Sequence, residues 1–147
     1  MNAWASLEST LDPEPLFPTE APDGRKDWTE LSRQVEFRGL MRNLAPQVLV
    51  FANANAGKRN PAQARREGIL GGVFDLSIEW KDGLHAYVEF KGYSKAGRAG
   101  KLATTQIEFG NRLVELGVPC AQFFSPMSAV DWLREQGFPI AQVRNAA

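Results

Sequence analysis

The sequence predicts an α/β fold, a central mixed sheet of about four strands flanked by helices, and three observations predict it. Apolar residues recur at helical spacing at Phe37, Leu40, Met41 and Leu44. They alternate with polar residues from Phe74 to Trp80, and breaks containing Gly or Pro separate one run from the next. The 147 residues, 44% of them hydrophobic, suffice for one packed domain and are too few for two sizeable ones.

The elements follow in the order helix, three strands, helix, strand, helix. Residues 1–26, with Pro13, Pro15, Pro18 and Pro22 among acids, cannot hold a regular helix or central strand and read as an acidic, extended arm. From about Trp28 a core helix begins, with Phe37, Leu40, Met41 and Leu44 on one face, and it ends before Pro46. Residues 47–52 are β-branched and apolar, and are expected to form a buried strand. After a polar loop over 53–60, Pro61 opens a short helical segment with Arg65 and Arg66 outward, closed by Gly71 and Gly72. In residues 73–80, Phe74, Leu76, Ile78 and Trp80 share one face, and Asp75, Ser77 and Glu79 the other. Residues 81–83 supply a turn, and residues 86–91 complete a hairpin. A flexible basic loop over 92–100 leads to a helix over 102–116, with Phe109 and Leu113 on its buried face and Gly117 as its stop. Residues 118–124 are a fourth strand, and Ser125 or Ser128 caps a last helix that ends at Gly137. The folded domain is expected over 27–138, with 139–147 as a tail.

Formal charge sums to zero, but its distribution is lopsided. Residues 1–24 hold five acids and no Lys or Arg, which leaves 17 basic against 12 acidic side chains in the remainder. Lys58, Arg59, Arg65, Arg66, Lys95, Arg98 and Lys101 cluster in sequence and suit phosphate contacts with a polyanionic partner. No apolar run approaches the roughly 20 residues needed to span a bilayer, and the N-terminus does not read as a secretory signal. A soluble, cytoplasmic product is expected, in a host's cytoplasm if the source is viral. Cys120 is the only cysteine, which excludes an intrachain disulfide and a cysteine-built zinc site; it is expected to be a small buried strand residue. With His85 as the only histidine, two-histidine metal sites are excluded and a Ser-His-Asp triad is unsupported. Residues 54–58 lack the spacing of a phosphate-binding loop, so hydrolysis of nucleoside triphosphates is not expected.

The chemistry concentrates in the hairpin. Glu89 and Lys91 are two apart on a strand and so project from one face, and hairpin pairing brings Asp75 beside them. Hydrolysis of a phosphodiester needs a hard cation to neutralise developing negative charge, and Mg2+ is bound through one or two carboxylates, waters and a substrate phosphate. Asp75 and Glu89 are the natural ligands, the backbone carbonyl of Phe90 a further oxygen. Lys91 would orient or help deprotonate the attacking water. On spacing alone the same three residues also fit an ordinary cross-strand ion pair on an exposed face. Glu79 shares the strand face of Asp75 and reads as structural or supporting.

Gly72-Val-Phe-Asp75-Leu, Tyr87-Val-Glu89-Phe-Lys91 and a downstream Gln106 at a helix start resemble the virus-type replication-repair nuclease domain, a compact branch of the PD-(D/E)XK nucleases. The likeness spans roughly residues 30–136. It implies a restriction-endonuclease-like core, Asp75 and Glu89 as metal ligands, Lys91 as the catalytic lysine and Gln106 as the motif glutamine. It also implies a first-helix glutamate at the metal, directly or through a water. Glu36, just before Phe37, is the favoured position and Glu30 the alternative. The expected activity is Mg2+-dependent hydrolysis of DNA, with Mn2+ as a substitute. Homodimers acting on branched DNA such as four-way junctions are what small stand-alone members imply. The competing readings are a catalytically silent nucleic-acid-binding module and a sequence-specific restriction endonuclease, for which no added recognition domain is evident.

Overall fold

The computed structural model describes residues 13–54 and 60–143. Thr29 opens the first helix, α1 (Glu30–Leu44), by accepting the Ser32 N–H on its hydroxyl at 3.1 Å, which satisfies one of the donors a helix start leaves free. Arg33, Phe37 and Met41 recur every four residues as its buried stripe. Then follow β1 (Leu49–Ala52), α2 (Pro61–Arg66), β2 (Leu76–Glu79), β3 (His85–Phe90), α3 (Thr104–Glu115), β4 (Cys120–Phe123) and α4 (Pro126–Glu135). The strands form one four-stranded mixed sheet in the order β1-β2-β3-β4, antiparallel up to β3 and parallel between β3 and β4. A hairpin joins β2 to β3, whereas the parallel step to β4 needs the crossover that α3 supplies.

A core lies on each side of the sheet. On one, Phe37 and Met41 of α1 and Val130 and Leu133 of α4 pack over Ile78, Val88, Phe90 and Phe123. On the other, Leu113 of α3 meets Phe17, Phe74 and Cys120, with Tyr87 and Phe109 at its margin. Burial of each such side chain contributes roughly 2 kcal/mol. The period of two in β3 sends Val88 and Phe90 to the first core and Tyr87 and Glu89 toward α3.

Several elements differ from the sequence expectation. β1 is an edge strand and not a buried one: it pairs only with β2, and Leu49 and Phe51 are 59% and 42% exposed. Phe74 does not share a face with Leu76 and Ile78, because the chain bends at Asp75 and β2 starts only at Leu76. α2 ends at Arg66, before Gly71 and Gly72. The basic loop is hydrogen-bonded, with Tyr93 bridged to Ala99 and the Ser94 N–H donated to the Arg98 carbonyl. Of the two candidate caps for α4, Ser125 is the one used.

The described part of the arm is extended, as its prolines dictate, but it is packed against the domain. Thr19 bridges Gln122 in parallel, so the segment continues the sheet past β4. Phe17 is 5% exposed, its ring lying where a side chain on Gly110 would otherwise sit. Glu20 accepts the Phe124 and Ser125 N–H groups at 2.9 and 2.7 Å, at the start of α4.

Candidate metal centre

The site forms where the antiparallel ladder of β2 and β3 runs out. Its last pair is Leu76 with Val88, and beyond it side chains take over from backbone. Asp75 Oδ2 accepts the Phe90 N–H at 3.0 Å, and Glu89 Oε1 accepts the Asp75 N–H at 3.1 Å. Asn53, at the end of β1, holds the same bend: it donates its N–H to the Asp75 carbonyl at 2.8 Å and its Nδ2 to the Phe74 carbonyl at 2.9 Å.

The third acid comes from α1, and it is Glu30, not Glu36. Carboxylate oxygens of Glu30, Asp75 and Glu89 all lie within 4.8 Å of one another. Glu36 is exposed and lies outside this group, because six residues of α-helix turn it about 120° away from Glu30. Gly92 permits the approach of α1: a Cβ there would stand 2.5 Å from the Glu30 nitrogen.

Arg33 anchors the same end of α1. Fully buried, it donates to the carbonyls of Trp28, Arg25 and Phe124 at 2.9, 2.9 and 2.7 Å and to both carboxylate oxygens of Asp23. All five guanidinium N–H groups are thereby used. Burial works against the Asp23 charge but is outweighed by the hydrogen bonds from Arg33 and the backbone, so its carboxyl lies below the usual range. No role for Arg33 was expected from the sequence, although its position four residues before Phe37 places it on the apolar stripe.

Lys91 and Gln106 complete the cluster. Lys91 Nζ donates to Gln106 Oε1 at 3.0 Å and stands 3.6 Å from Glu89 Oε2. The same Gln106 oxygen accepts the Ala103 N–H at 2.9 Å, so one atom both ties the start of α3 and orients the lysine. Glu89 is fully buried, and its Oε2 has no hydrogen-bond partner. Burial, joined by the charge and hydrogen bond of Asp75 and by Glu30, pushes its carboxyl up to about 9 against the opposing pull of Lys91. Glu30 is also raised, by burial and by Asp75, again against Lys91. Three crowded acids, one with an unsatisfied buried oxygen, are a donor set that fits a hard divalent cation. They would hold it through Glu30, Asp75 and Glu89.

A cleft of about 790 Å3 opens over these residues, between α2 and the start of α3. Arg65 and Lys101 border it, and Arg98 borders a neighbouring cavity that also reaches Glu30. Arg66 and Lys95 are exposed and do not line the cleft, whereas Lys58 and Arg59 lie outside the described residues. Away from the site, Glu79 pairs with His85 across the hairpin, a structural contact. Cys120 donates its thiol to the Gly110 carbonyl, and burial pushes it up to about 12, as befits an inert core residue. Among the described residues no helix is long and apolar enough to cross a membrane. Comparison with family models, curated proteins and solved structures returns no match to this chain.

Proposed function

We propose that this chain is a divalent-metal-dependent nuclease that hydrolyses DNA phosphodiesters. The observation that carries the reading is the convergence of Glu30, Asp75 and Glu89 oxygens within 4.8 Å, with the Lys91 ammonium 3.6 Å from Glu89. A bound Mg2+ or Mn2+ would supply Lewis-acid stabilisation of charge on the phosphoryl oxygens. Glu30, Asp75 and Glu89 hold that cation, with the Phe90 carbonyl as a proposed further oxygen. Lys91, kept in place by Gln106, orients the attacking water and offsets negative charge as the bond to phosphorus forms. Arg65 and Lys101 at the cleft, with Arg98 close by, receive the phosphate backbone and set its register without reading sequence.

The resemblance in the Asp75, Glu89 and Lys91 motifs extends the proposal to branched substrates and to a homodimer, in which two sites related by a two-fold axis address two strands of a four-way junction. The test is cleavage of labelled four-way junction, flap, single-stranded and linear duplex DNA in Mg2+ or Mn2+, with Lys91→Ala alongside. Metal-dependent cutting that drops at least about 100-fold in the variant is expected. Absence of cutting with DNA binding intact would instead favour a silent binding module.

A further inference from the structure

A further cavity also borders Lys91. It measures about 350 Å3 and is walled by Pro15, Pro22, Leu102, Ile107 and Phe124. Lys91 and Lys101 border both this cavity and the cleft above the three acids, so the two are adjacent. Gln122 lines the cavity, is 4% exposed, and has a buried side-chain Nε2 without a hydrogen-bond partner. Gln122 is the β4 partner of Glu89 in the sheet register, which places its amide on the same sheet face as the acid. Thr19 and Glu20 of the docked arm also line the cavity, and Glu20 already accepts two backbone N–H groups.

We infer that this cavity takes one unpaired nucleobase of the DNA strand, next to the phosphodiester held at the acids. A nucleobase has apolar faces and an edge of donors and acceptors, which matches apolar walls with one unsatisfied carboxamide. Within the cavity the Glu20 carboxylate offers an acceptor to the amino group of a base, while Lys91 and Lys101 stand at the border shared with the cleft. Lys101, at the border, is placed for the phosphate of the same nucleotide. A base within a duplex keeps its edge paired and its faces stacked and cannot enter, so the cavity selects DNA with an unpaired nucleotide beside the cut. The inference rests on the nuclease reading and gives it a source of structure selectivity.

The test uses the full chain with a duplex carrying one unpaired 2-aminopurine nucleotide and with the matching fully paired duplex. Affinity is read by anisotropy, in EDTA and in Ca2+, and the environment of the base by its fluorescence. Wild type is expected to prefer the unpaired duplex by roughly tenfold, with a change in 2-aminopurine emission. Gln122→Leu and the cavity-filling Ile107→Trp should lose the preference and keep the affinity for paired duplex. Equal affinities in wild type, or a preference retained in both variants, overturns the pocket. Metal-dependent cleavage of both duplexes, measured in parallel, separates the two readings. Cutting without preference removes the pocket alone, preferential binding without cutting keeps the pocket and removes the nuclease, and neither binding nor cutting removes both.

Discussion

Asp75 and Glu89 are locked to each other through backbone: Glu89 Oε1 takes the Asp75 N–H, while Asp75 Oδ2 takes the N–H of Phe90, the residue after Glu89. Both carboxylates are therefore oriented before any cation arrives, and their repulsion is built into the fold. Glu89 Oε2 has neither solvent nor a hydrogen bond to satisfy it. A divalent cation held there would relieve that repulsion, and five expectations, one of them the cleavage test above, probe this arrangement.

Neutralising Glu89 should stabilise the metal-free protein. Its folded-state carboxyl is raised to about 9 from an ordinary 4.5, so its favourable contribution is complete below 4.5 and is lost as pH rises toward 9. In EDTA at pH 8, Glu89→Gln should melt roughly 3 °C or more above wild type, with the gap closing near pH 4. Mn2+ should raise the melting temperature of wild type and not of the variant. A variant less stable at pH 8, or one still stabilised by Mn2+, would remove Glu89 from the metal site.

Glu30 and Glu36 should separate cleanly. Calorimetric titration with Mn2+ is expected to show at least about tenfold weaker binding in Glu30→Ala and no change in Glu36→Ala. The reverse pattern would return the role to Glu36.

Gly92→Ala should damage metal binding without touching a carboxylate. Its Cβ would stand 2.5 Å from the Glu30 nitrogen, so the start of α1 must move off the loop and carry Glu30 with it. About tenfold weaker Mn2+ binding is expected, with circular dichroism unchanged. Affinity equal to wild type would show that this close approach does not set the position of Glu30.

Arg33→Ala should cost about 2–4 kcal/mol in urea unfolding, because it leaves the carbonyls of Trp28, Arg25 and Phe124 without their donor and empties a fully buried volume. Arg33→Lys should rescue little, since three donors on a point charge cannot replace a planar fork of five. Near-wild-type stability in the lysine variant would show that charge, rather than the donor geometry, holds α1.

Much of the fold was legible in the sequence because it follows from local periodicity. The four-residue recurrence along α1, the alternation in β3 and the turn between β2 and β3 are dictated by neighbours in the chain. Glu89 and Lys91 could be singled out because an x-spaced pair on a strand is a local pattern too, and hairpin pairing set Asp75 beside them, whereas Gln106 was pointed to by the motif resemblance. β1 was misread for the same reason: an apolar run is identical in sequence whether or not something covers it, and here nothing among the described residues covers Leu49 and Phe51.

What the sequence by itself determined is the set of elements and the faces their periods assign, since those depend on backbone geometry at fixed spacing. Which helical acid meets Asp75 and Glu89 was decided only in tertiary structure, by the rotation of α1 and by a glycine 62 residues after Glu30 that lets its first turn settle. Arg33, Asn53 and the docked arm belong to the same category. Each works through partners distant in the chain or through backbone carbonyls, and a carbonyl is present at every residue and carries no signature in the sequence.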